Sequence, residues 1–302
     1  VLYKMKLLYI GVHSHKGWGA EYWLEKSFTY LKIELELINY REIRKKSGIE
    51  KLKEIITEKC STCDIVFLQR GERINPSLFR DVQIPIVFWS TEPIQLKNDA
   101  DELLSSDIFS WVYVHSYSCM DRIEDEFPHI KNKTTVMHNA APKEIIQTGV
   151  QKSRFAIFNR NLSWRRKWWL FPSRKLYEGV NGRYGDDYFK DLRESQISIN
   201  IHYSNKNLDD FESGIFEAMA SGCAVVSERL HPQTLIDLGL EGSIIQIDNP
   251  KELKHKLLEL KQNHKMIEDY QLKSIQVIQQ NTWENRAILF LMKFKEICKN
   301  ET

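Results

Sequence analysis

The chain has 302 residues, of which 42% are hydrophobic, so it is long enough for two ordinary domains and too apolar to be disordered. With 43 basic and 41 acidic residues its formal net charge is only +2, which gives no overall attraction to nucleic acid or to a membrane surface. No apolar run approaches the roughly 20 residues that cross a bilayer. The first twelve residues lack the longer apolar core of a signal peptide and are expected to form a buried strand.

The cysteines favour a reducing compartment, and we expect the protein to be cytoplasmic. Their number is odd and they are scattered along the chain at positions 60, 63, 119, 223 and 298. Cys60 and Cys63 form a Cys-x-x-Cys pair, but no second pair with zinc-ligand spacing accompanies it. The pair also closes a predicted helix instead of opening one, as a thioredoxin-like motif would. We interpret it as two incidental thiols in a helix-to-strand turn.

The first half of the chain alternates short apolar runs with helical patterns. The runs lack the period-two alternation of half-exposed strands, so they predict a parallel sheet buried on both faces. The predicted strands cover residues 6–12, 35–40, 64–70, 84–90 and 111–116, and the predicted helices cover residues 20–32, 49–59 and 118–127.

A linker-like stretch rich in Asn, Ala-Ala-Pro and Thr-Gly around residues 137–154 interrupts this pattern, which then starts again. The second half predicts strands at 155–160, 196–203, 224–228 and 243–247, and helices at 163–179, 213–222, 249–280 and 282–299. We therefore expect an α/β protein with two Rossmann-like domains, 1–150 and 151–282, and a C-terminal helix, 283–302, that packs back on the first domain. Two such halves are expected to face a central cleft, with ligands at the carboxyl ends of the strands.

The segment Asp209–Leu230 contains the clearest candidate site. If a helix begins near Ser213, its first amides, including that of Ile215, carry partial positive charge and suit a phosphate, which Gly214 allows close to the backbone. Glu217, one turn later, is suited to accept hydrogen bonds from a sugar diol. From these residues alone, a capped amphipathic helix with an exposed glutamate explains the pattern about as well.

The same segment resembles the signature of the group-1, family-4-type retaining glycosyltransferases and their CgeB-like relatives. The run FEAMASGCAVV, residues 216–226, matches the end of that signature. The resemblance is strong over residues 155–295 and only architectural over 1–150. It implies a GT-B fold, a nucleotide-sugar donor held by the second domain, and an acceptor held by the first.

In this family two acids stand with seven residues between them, the second holding the nucleotide ribose and the first lying beside the donor sugar. Glu217 matches the second acid. The first falls on Asp209, where the family usually has Glu, and Asp210 and Glu212 are its rivals. The shorter side chain at position 209 leaves open whether the chain is an active enzyme or a module that only binds a nucleotide sugar.

The family also implies basic residues after the first strand of the second domain, aimed at the diphosphate. Arg160 follows that predicted strand directly, and Arg165 and Arg166 come next. Arginine side chains would stabilise the leaving diphosphate without a metal ion. The alternatives are a solvated basic face or, because tryptophans are interleaved, a nucleic-acid surface, as in enzymes that glucosylate phage DNA.

In the first domain, the resemblance draws attention to two further places. Gly17 and Gly19 lie in a glycine-rich turn after the first strand, where relatives contact the donor phosphate or the acceptor, although a plain turn is the alternative. His115 ends a predicted strand where relatives carry a histidine that contacts the sugar. Glu92 is a candidate acid on the acceptor side.

The resemblance implies transfer of a sugar, most often from a UDP-sugar, with retention of configuration and without a cofactor or metal ion. Asp186 and Asp187 could suggest a metal motif, but the two-domain relatives work without one, so we interpret the segment around them as a loop. The acceptor is not identified by the sequence.

Overall fold

The computed structural model describes residues 5–13, 17–94, 99–146, 151–205 and 211–300, and it divides into two compact units. Unit 1 comprises Val1–His138 together with Glu284–Thr302, and unit 2 comprises Asn139–Trp283. All described strand pairs are parallel, which agrees with the prediction from the continuous apolar runs.

Unit 1 contains a six-stranded sheet in the order β2-β1-β3-β4-β5-β6 among the described residues. Its elements are β1 (Lys6–Gly11), α1 (Ala20–Tyr30), β2 (Glu34–Asn39), α2 (Tyr40–Cys60), β3 (Ile65–Gln69), β4 (Ile86–Ser90), α3 (Asp101–Leu104), β5 (Trp111–Val114), α4 (Tyr117–Glu126) and β6 (Thr134–Val136). Short 3-10 helices cover Pro76–Phe79 and Pro128–Lys133.

Unit 2 contains a five-stranded sheet in the order β11-β10-β9-β7-β8 among the described residues. Its elements are β7 (Arg154–Phe158), α5 (Trp164–Leu170), β8 (Glu178–Gly179), α6 (Asp186–Arg193), β9 (Ser195–Asn200), α7 (Gly214–Ala220), β10 (Ala224–Glu228), α8 (Pro232–Asp237), β11 (Ile244–Ile247), α9 (Pro250–Gln262) and α10 (His264–Ile278). Short 3-10 helices cover Lys143–Ile145 and Phe171–Ser173.

The last helix, α11 (Trp283–Asn300), belongs to unit 1 from Glu284 onward. Its aromatic side chains pack on one face of the unit 1 sheet. The ring of Phe290 lies 5.0 Å from that of Phe67, 5.1 Å from that of Trp89 and 5.0 Å from that of Tyr113, between ring centroids. Burial of such rings accounts for the attachment of this helix, since each contributes about 2–3 kcal/mol of apolar transfer.

Strand β2 differs from its prediction as a strand buried on both faces. It is an edge strand of the sheet, and five of its six residues are exposed or half-buried. Its Glu36 forms ion pairs with Lys6, at 3.2 Å, and with Lys59. Charged side chains of this kind protect an open sheet edge from pairing with another chain.

Two predicted helices are divided in the structure. The helix predicted at 163–179 ends as α5 at Leu170, because Pro172 follows, and β8 forms within the remainder. The helix predicted at 249–280 is split into α9 and α10 at Asn263, whose side chain accepts a hydrogen bond from the amide of Met266 at 3.1 Å. Helix α6 was not predicted. Its first two residues, Asp186 and Asp187, lie in the segment that we interpreted from the sequence as a loop.

Candidate functional site

Arg160 lies two residues beyond β7, at the carboxyl edge of the unit 2 sheet. Its side chain is 11% exposed, and Nη1 lies 4.0 Å from a carboxylate oxygen of Glu212. Its Nε and Nη2 atoms are buried and have no hydrogen-bond partner among the described residues. Burial lowers the pKa of this guanidinium, but Tyr188, Glu212 and Glu217 together outweigh that effect and raise the pKa above its ordinary value. The site therefore holds a fixed positive charge with unused donors.

Gly214 is the first residue of α7, and the Arg160 side chain lies directly against it. A Cβ at Gly214 would lie 1.8 Å from Nη1 of Arg160, so no other residue fits beside this guanidinium. The side chain of Ser213 does not cap the helix. The amide of Ile215 already donates to the carbonyl oxygen of Glu212 at 2.9 Å, so this amide is engaged within the chain.

Glu217 is half-buried one turn into α7, and its carboxylate accepts a hydrogen bond from the hydroxyl of Tyr188 at 2.9 Å. Burial raises the pKa of the Glu217 carboxyl, and the Tyr188 hydrogen bond and the charge of Arg160 offset this only in part. Burial also raises the pKa of Tyr188 well above its ordinary value, so its hydroxyl remains a donor. Glu217 is thus a partly desolvated acceptor beside a fixed cation.

Of the acids considered for the first position of the motif, Asp209 and Asp210 lie outside the described residues. Glu212 is described, and both of its carboxylate oxygens accept hydrogen bonds from Nη2 of Arg166, at 3.0 and 2.9 Å. Arg166 is 4% exposed and also donates to the carbonyl oxygen of Ile201 at 2.7 Å. Arg166 therefore holds Glu212 in place immediately before α7.

Arg165 points to a different partner, Glu228 at the end of β10. The two side chains form a bidentate pair, with one contact at 2.6 Å, and Glu228 is 5% exposed. Arg165 also donates to the carbonyl oxygen of His202 at 2.9 Å and to the side chain of Asn205 at 2.5 Å. This guanidinium is held by partners within unit 2.

Two further polar side chains at this edge of the sheet were not predicted from the sequence. Asn159, 6% exposed, precedes Arg160, and neither its amide oxygen nor its amide nitrogen has a hydrogen-bond partner among the described residues. His202 donates through Nε2 to the carbonyl oxygen of Arg229 at 2.9 Å, while its buried Nδ1 lies 4.0 Å from Glu212. Unsatisfied buried polar atoms at a strand end indicate a place for a polar ligand.

Tyr188 also escaped prediction, because α6 was not recognised. Gly185 has φ +61° and is followed by Asp186 and Asp187 in the first turn of α6. Acidic residues directly after a glycine are a helix-start signal, and they could have revealed this helix.

In unit 1 the two glycines predicted as site residues, Gly17 and Gly19, precede α1. Gly17 has φ +72° and Gly19 has φ +106°, so both adopt backbone conformations that other residues rarely tolerate. Gly19 is the residue immediately before α1, and its carbonyl oxygen accepts the amide of Trp23 at 3.2 Å. Residues 14–16 of the same turn, including His15, lie outside the described residues.

His115 is buried directly after β5. Its Nδ1 lies 3.5 Å from the sulfur of Cys119, and its carbonyl oxygen is 3.1 Å from Nδ1 of His138. His115 is 6% exposed, so any sugar contact would have to reach a largely enclosed ring.

A charged network lies at the carboxyl edge of the unit 1 sheet and was not predicted as such. Arg70, just after β3, has φ +72°, which is strained for a residue with a side chain. Its guanidinium lies 2.6 Å from Glu21, 3.5 Å from Glu72 and 3.4 Å from Glu92. Three acids from α1 and from the loops after β3 and β4 thus share one arginine.

Beside this network is a cavity of about 570 Å³ with a mainly basic lining. The residues around it are Arg41, Arg44, Lys45, Glu72, Arg73 and Asp99. Arg41 donates to Glu72 at 2.6 Å, and the hydroxyl of Tyr40 donates to the same carboxylate at 2.5 Å. Glu72 therefore connects the cavity to the Arg70 network.

Two other kinds of feature are absent from the described ranges. No group of three or more His, Cys, Asp or Glu side chains is arranged to hold a metal ion. No helix is both long enough and apolar enough to span a membrane. All five cysteines are free thiols, and Cys60 and Cys63 belong to the core of unit 1.

Comparison with known families gives a match over the second half of the chain. The sequence model of a family described as "Glycosyl transferase-like" matches residues 138–292, about half of the chain. This range contains Arg160, Gly214 and Glu217. No curated protein sequence matches the chain.

Solved structures match the chain over nearly its whole length. HepE from Anabaena, solved with UDP-glucose, is 13% identical with a TM-score of 0.66 and covers 96% of this chain and 99% of its own. Sucrose-phosphate synthase from Thermosynechococcus elongatus is 9% identical, with a TM-score of 0.71 and coverage of 97% and 99%. A glycosyltransferase from Rickettsia africae is 14% identical, with a TM-score of 0.66 and coverage of 98% and 99%. Together with the two parallel sheets, these likenesses identify the fold as GT-B, as predicted.

Proposed function

Because the chain belongs to the glycosyl transferase-like family, we propose that it transfers a sugar from a nucleoside diphosphate sugar to an acceptor. We propose a UDP-sugar as the donor, since HepE, which shares the fold, was solved with UDP-glucose. Unit 2 binds this donor and unit 1 binds the acceptor. The five free thiols are consistent with a reducing compartment such as the cytoplasm.

The observation that carries this proposal is the position of Arg160 against Gly214. The buried Nε and Nη2 atoms of Arg160 need acceptors, and phosphate oxygens supply them. The start of α7, from Ser213 through Ile215, adds the favourable end of the helix dipole, although Ile215 contributes through that dipole and not through a free amide. The diphosphate therefore lies between Arg160 and the start of α7.

Glu217 then lies one turn from the diphosphate, where the ribose follows it in a nucleotide. A carboxylate accepts hydrogen bonds from both hydroxyls of a diol, and a partly desolvated one holds them more strongly than a solvated one. Tyr188 keeps this carboxylate oriented through its 2.9 Å hydrogen bond. Glu217 is the ribose ligand in this proposal.

Catalysis follows from charge and positioning. When the bond from the anomeric carbon to the diphosphate breaks, negative charge develops on the leaving oxygen, and Arg160 stabilises it. The leaving diphosphate takes the proton of the attacking acceptor hydroxyl on the same face of the sugar, which retains the anomeric configuration. Asp209 and His115 contact the donor sugar in this scheme.

The other two arginines have supporting roles. Arg166 holds Glu212 immediately before α7, and Arg165 joins α5 to β10 through Glu228. The charge that a metal ion would provide comes from Arg160, so the reaction needs no metal ion. Activity that persists in excess EDTA is the expected result.

On the acceptor side, the Arg70 network presents carboxylates and a guanidinium at the carboxyl edge of the unit 1 sheet. Such groups are suited to orient a hydroxyl-bearing acceptor. Gly17 and Gly19 shape the turn that lies at the same edge, after β1. Glu92 belongs to this network through Arg70.

Calorimetric titration with nucleoside diphosphates, followed by a donor-hydrolysis assay, tests the proposal. UDP is expected to bind the wild type and to bind Arg160→Ala at least about tenfold more weakly, the loss expected for charged hydrogen bonds. Hydrolysis of a UDP-sugar that releases the sugar with its original anomeric configuration, read by NMR, supports a retaining enzyme. Binding without hydrolysis or transfer would identify a non-catalytic nucleotide-sugar module instead.

A further inference from the structure

Helix α5 has two faces of different character. One face is buried and carries Arg166, Trp169 and Leu170. On the opposite side Trp164 is 86% exposed, Trp168 is 66% exposed, and Phe171, in the following turn, is 64% exposed. Their spacing of four and three residues aligns them along one side of the helix. Three large aromatic side chains so exposed in one stripe require an explanation.

Cations accompany this stripe. Nζ of Lys167 lies 5.0 Å from the centre of the Trp164 ring, and Cζ of Arg174 lies 4.5 Å from the centre of the Phe171 ring. Lys175 is exposed beside them. Residues 161–177 contain no acidic residue, although the whole chain has 41. We call Trp164, Lys167, Trp168, Phe171 and Arg174 the aromatic–basic face.

We infer that the aromatic–basic face docks on an anionic lipid surface. Tryptophan and phenylalanine beside lysine and arginine are the composition of interfacial membrane-binding helices, in which rings enter the headgroup region and cations meet lipid phosphates. The local charge has the sign that such a surface requires, while the chain as a whole is nearly neutral. The low net charge means that binding depends on this face and not on general attraction.

A nucleic acid is the less suitable occupant of the same face. Single-stranded nucleic acid is bound by stacking bases on open aromatic rings. Here Lys167 lies over the ring of Trp164 and Arg174 over that of Phe171, so both rings already carry a cation. Such pairs are suited to the interface between headgroups and acyl chains, where ring and cation are both accommodated.

The aromatic–basic face is close in sequence to the proposed donor site. Helix α5 follows β7, and Arg160 lies in the connection between them. Docking through α5 would hold unit 2 at the surface of the bilayer. The inference itself does not rest on the proposed function, since it concerns binding that requires no turnover.

The test is co-sedimentation of the full chain with vesicles. The wild type is expected to bind vesicles of equal parts phosphatidylglycerol and phosphatidylcholine, to release them at high salt, and not to bind phosphatidylcholine alone. Each cation near such a surface contributes about fivefold in partitioning, so Lys167→Glu/Arg174→Glu should bind at least about 25-fold more weakly. The variant Trp164→Ser/Trp168→Ser/Phe171→Ser should bind the anionic vesicles no more tightly than Lys167→Glu/Arg174→Glu does.

Matched controls are available on unit 2. Lys254→Glu/Lys261→Glu makes the same charge change on α9, and Leu272→Ser removes an apolar side chain that is 65% exposed on α10. Both controls should bind like the wild type, and urea unfolding transitions that match the wild type should show that all variants are folded.

Four results would overturn the inference. The first three are absence of wild-type binding to the anionic vesicles, equal loss of binding in the control variants, and binding to a single-stranded oligonucleotide that depends on the same side chains while vesicles are not bound. The fourth is self-association of the wild type that the variant Trp164→Ser/Trp168→Ser/Phe171→Ser abolishes, without vesicle binding by either protein. That result would assign the aromatic–basic face to a protein contact.

Discussion

The guanidinium of Arg160 occupies the space that a side chain at Gly214 would need, since a Cβ there would lie 1.8 Å from Nη1 and 2.3 Å from Cζ. The glycine at the start of α7 is thus a requirement for the position of the arginine. Its φ is not in the left-handed region, so the constraint is steric contact and not backbone strain.

Gly214→Ala is therefore expected to displace Arg160 and to weaken UDP binding about as much as Arg160→Ala does, by about tenfold or more. Calorimetry on both variants measures this. Gly179→Ala in β8 is the control, because a Cβ there would meet only Tyr177, at an ordinary contact distance of 3.6 Å. Equal UDP affinity for Gly214→Ala and the wild type would show that the position of the Arg160 guanidinium against Gly214 does not matter for donor binding.

The raised pKa of Glu217 predicts a pH dependence of donor binding. The carboxylate that we propose as the ribose ligand is protonated as pH falls through a pKa above that of an ordinary glutamate, so UDP affinity should begin to fall at correspondingly higher pH. Glu217→Gln should lack this component. UDP affinity is measured against pH for the wild type and for Glu217→Gln. Protonation of the UDP phosphate affects both curves equally, so their difference reports on Glu217 alone.

Tyr188→Phe offers a matched test, because the Tyr188 hydrogen bond lowers the Glu217 pKa against the effect of burial. Loss of that hydroxyl should move the midpoint of the affinity curve to still higher pH. The raised pKa of Glu217 also affects folding stability. Because the carboxyl has a higher pKa in the folded than in the unfolded chain, the free energy of unfolding falls as pH rises from the unfolded-state pKa to the folded-state pKa. A curve for Tyr188→Phe that superimposes on that of the wild type would contradict the assignment.

Arg165 gives a prediction of a different kind, because its guanidinium is paired with Glu228. Arg165→Ala leaves that glutamate, with its side chain 6% exposed, without its cation, and should lower the free energy of unfolding by about 3–5 kcal/mol. Urea denaturation measures the loss. The double variant Arg165→Ala/Glu228→Gln should recover part of it. A stable Arg165→Ala protein that lacks only turnover would instead assign Arg165 a direct part in the reaction.

On the acceptor side, Arg70→Ala should separate transfer from donor binding. The guanidinium shared by Glu21, Glu72 and Glu92 is lost, so the groups proposed to bind the acceptor are no longer held, while the proposed UDP site in unit 2 is unchanged. We expect unchanged UDP affinity and a loss of about tenfold or more in transfer to acceptor. Lys53→Ala, which removes an exposed ion pair with Asp81, is the control. A parallel loss of UDP affinity would refute this division.

Much of the fold was predictable because its signals are local. Within the predicted strands 64–70 and 84–90, residues 65–68 and 84–89 are apolar throughout, as strands buried on both faces must be, and β3 and β4 lie there. The short β6 and β8 were missed, since two or three residues carry no periodicity. The exposure of β2 follows from its place at the sheet edge, which only tertiary structure decides.

The candidate site divides in the same way. Gly214 and Glu217 were recognisable because they stand in one linear motif, and Arg160 because it follows a strand. The sequence did not indicate that Tyr188 bonds to Glu217 or that Arg165 pairs with Glu228. These partners lie 29 and 63 residues apart, so only the fold brings them together.

The central claim is that the donor diphosphate lies between Arg160 and the start of α7, with the ribose on Glu217. A crystal structure of the chain with UDP tests it most directly. The account predicts phosphate oxygens within hydrogen-bond distance of the Arg160 guanidinium and both ribose hydroxyls on the Glu217 carboxylate. UDP bound elsewhere, or in contact with neither side chain, would contradict it.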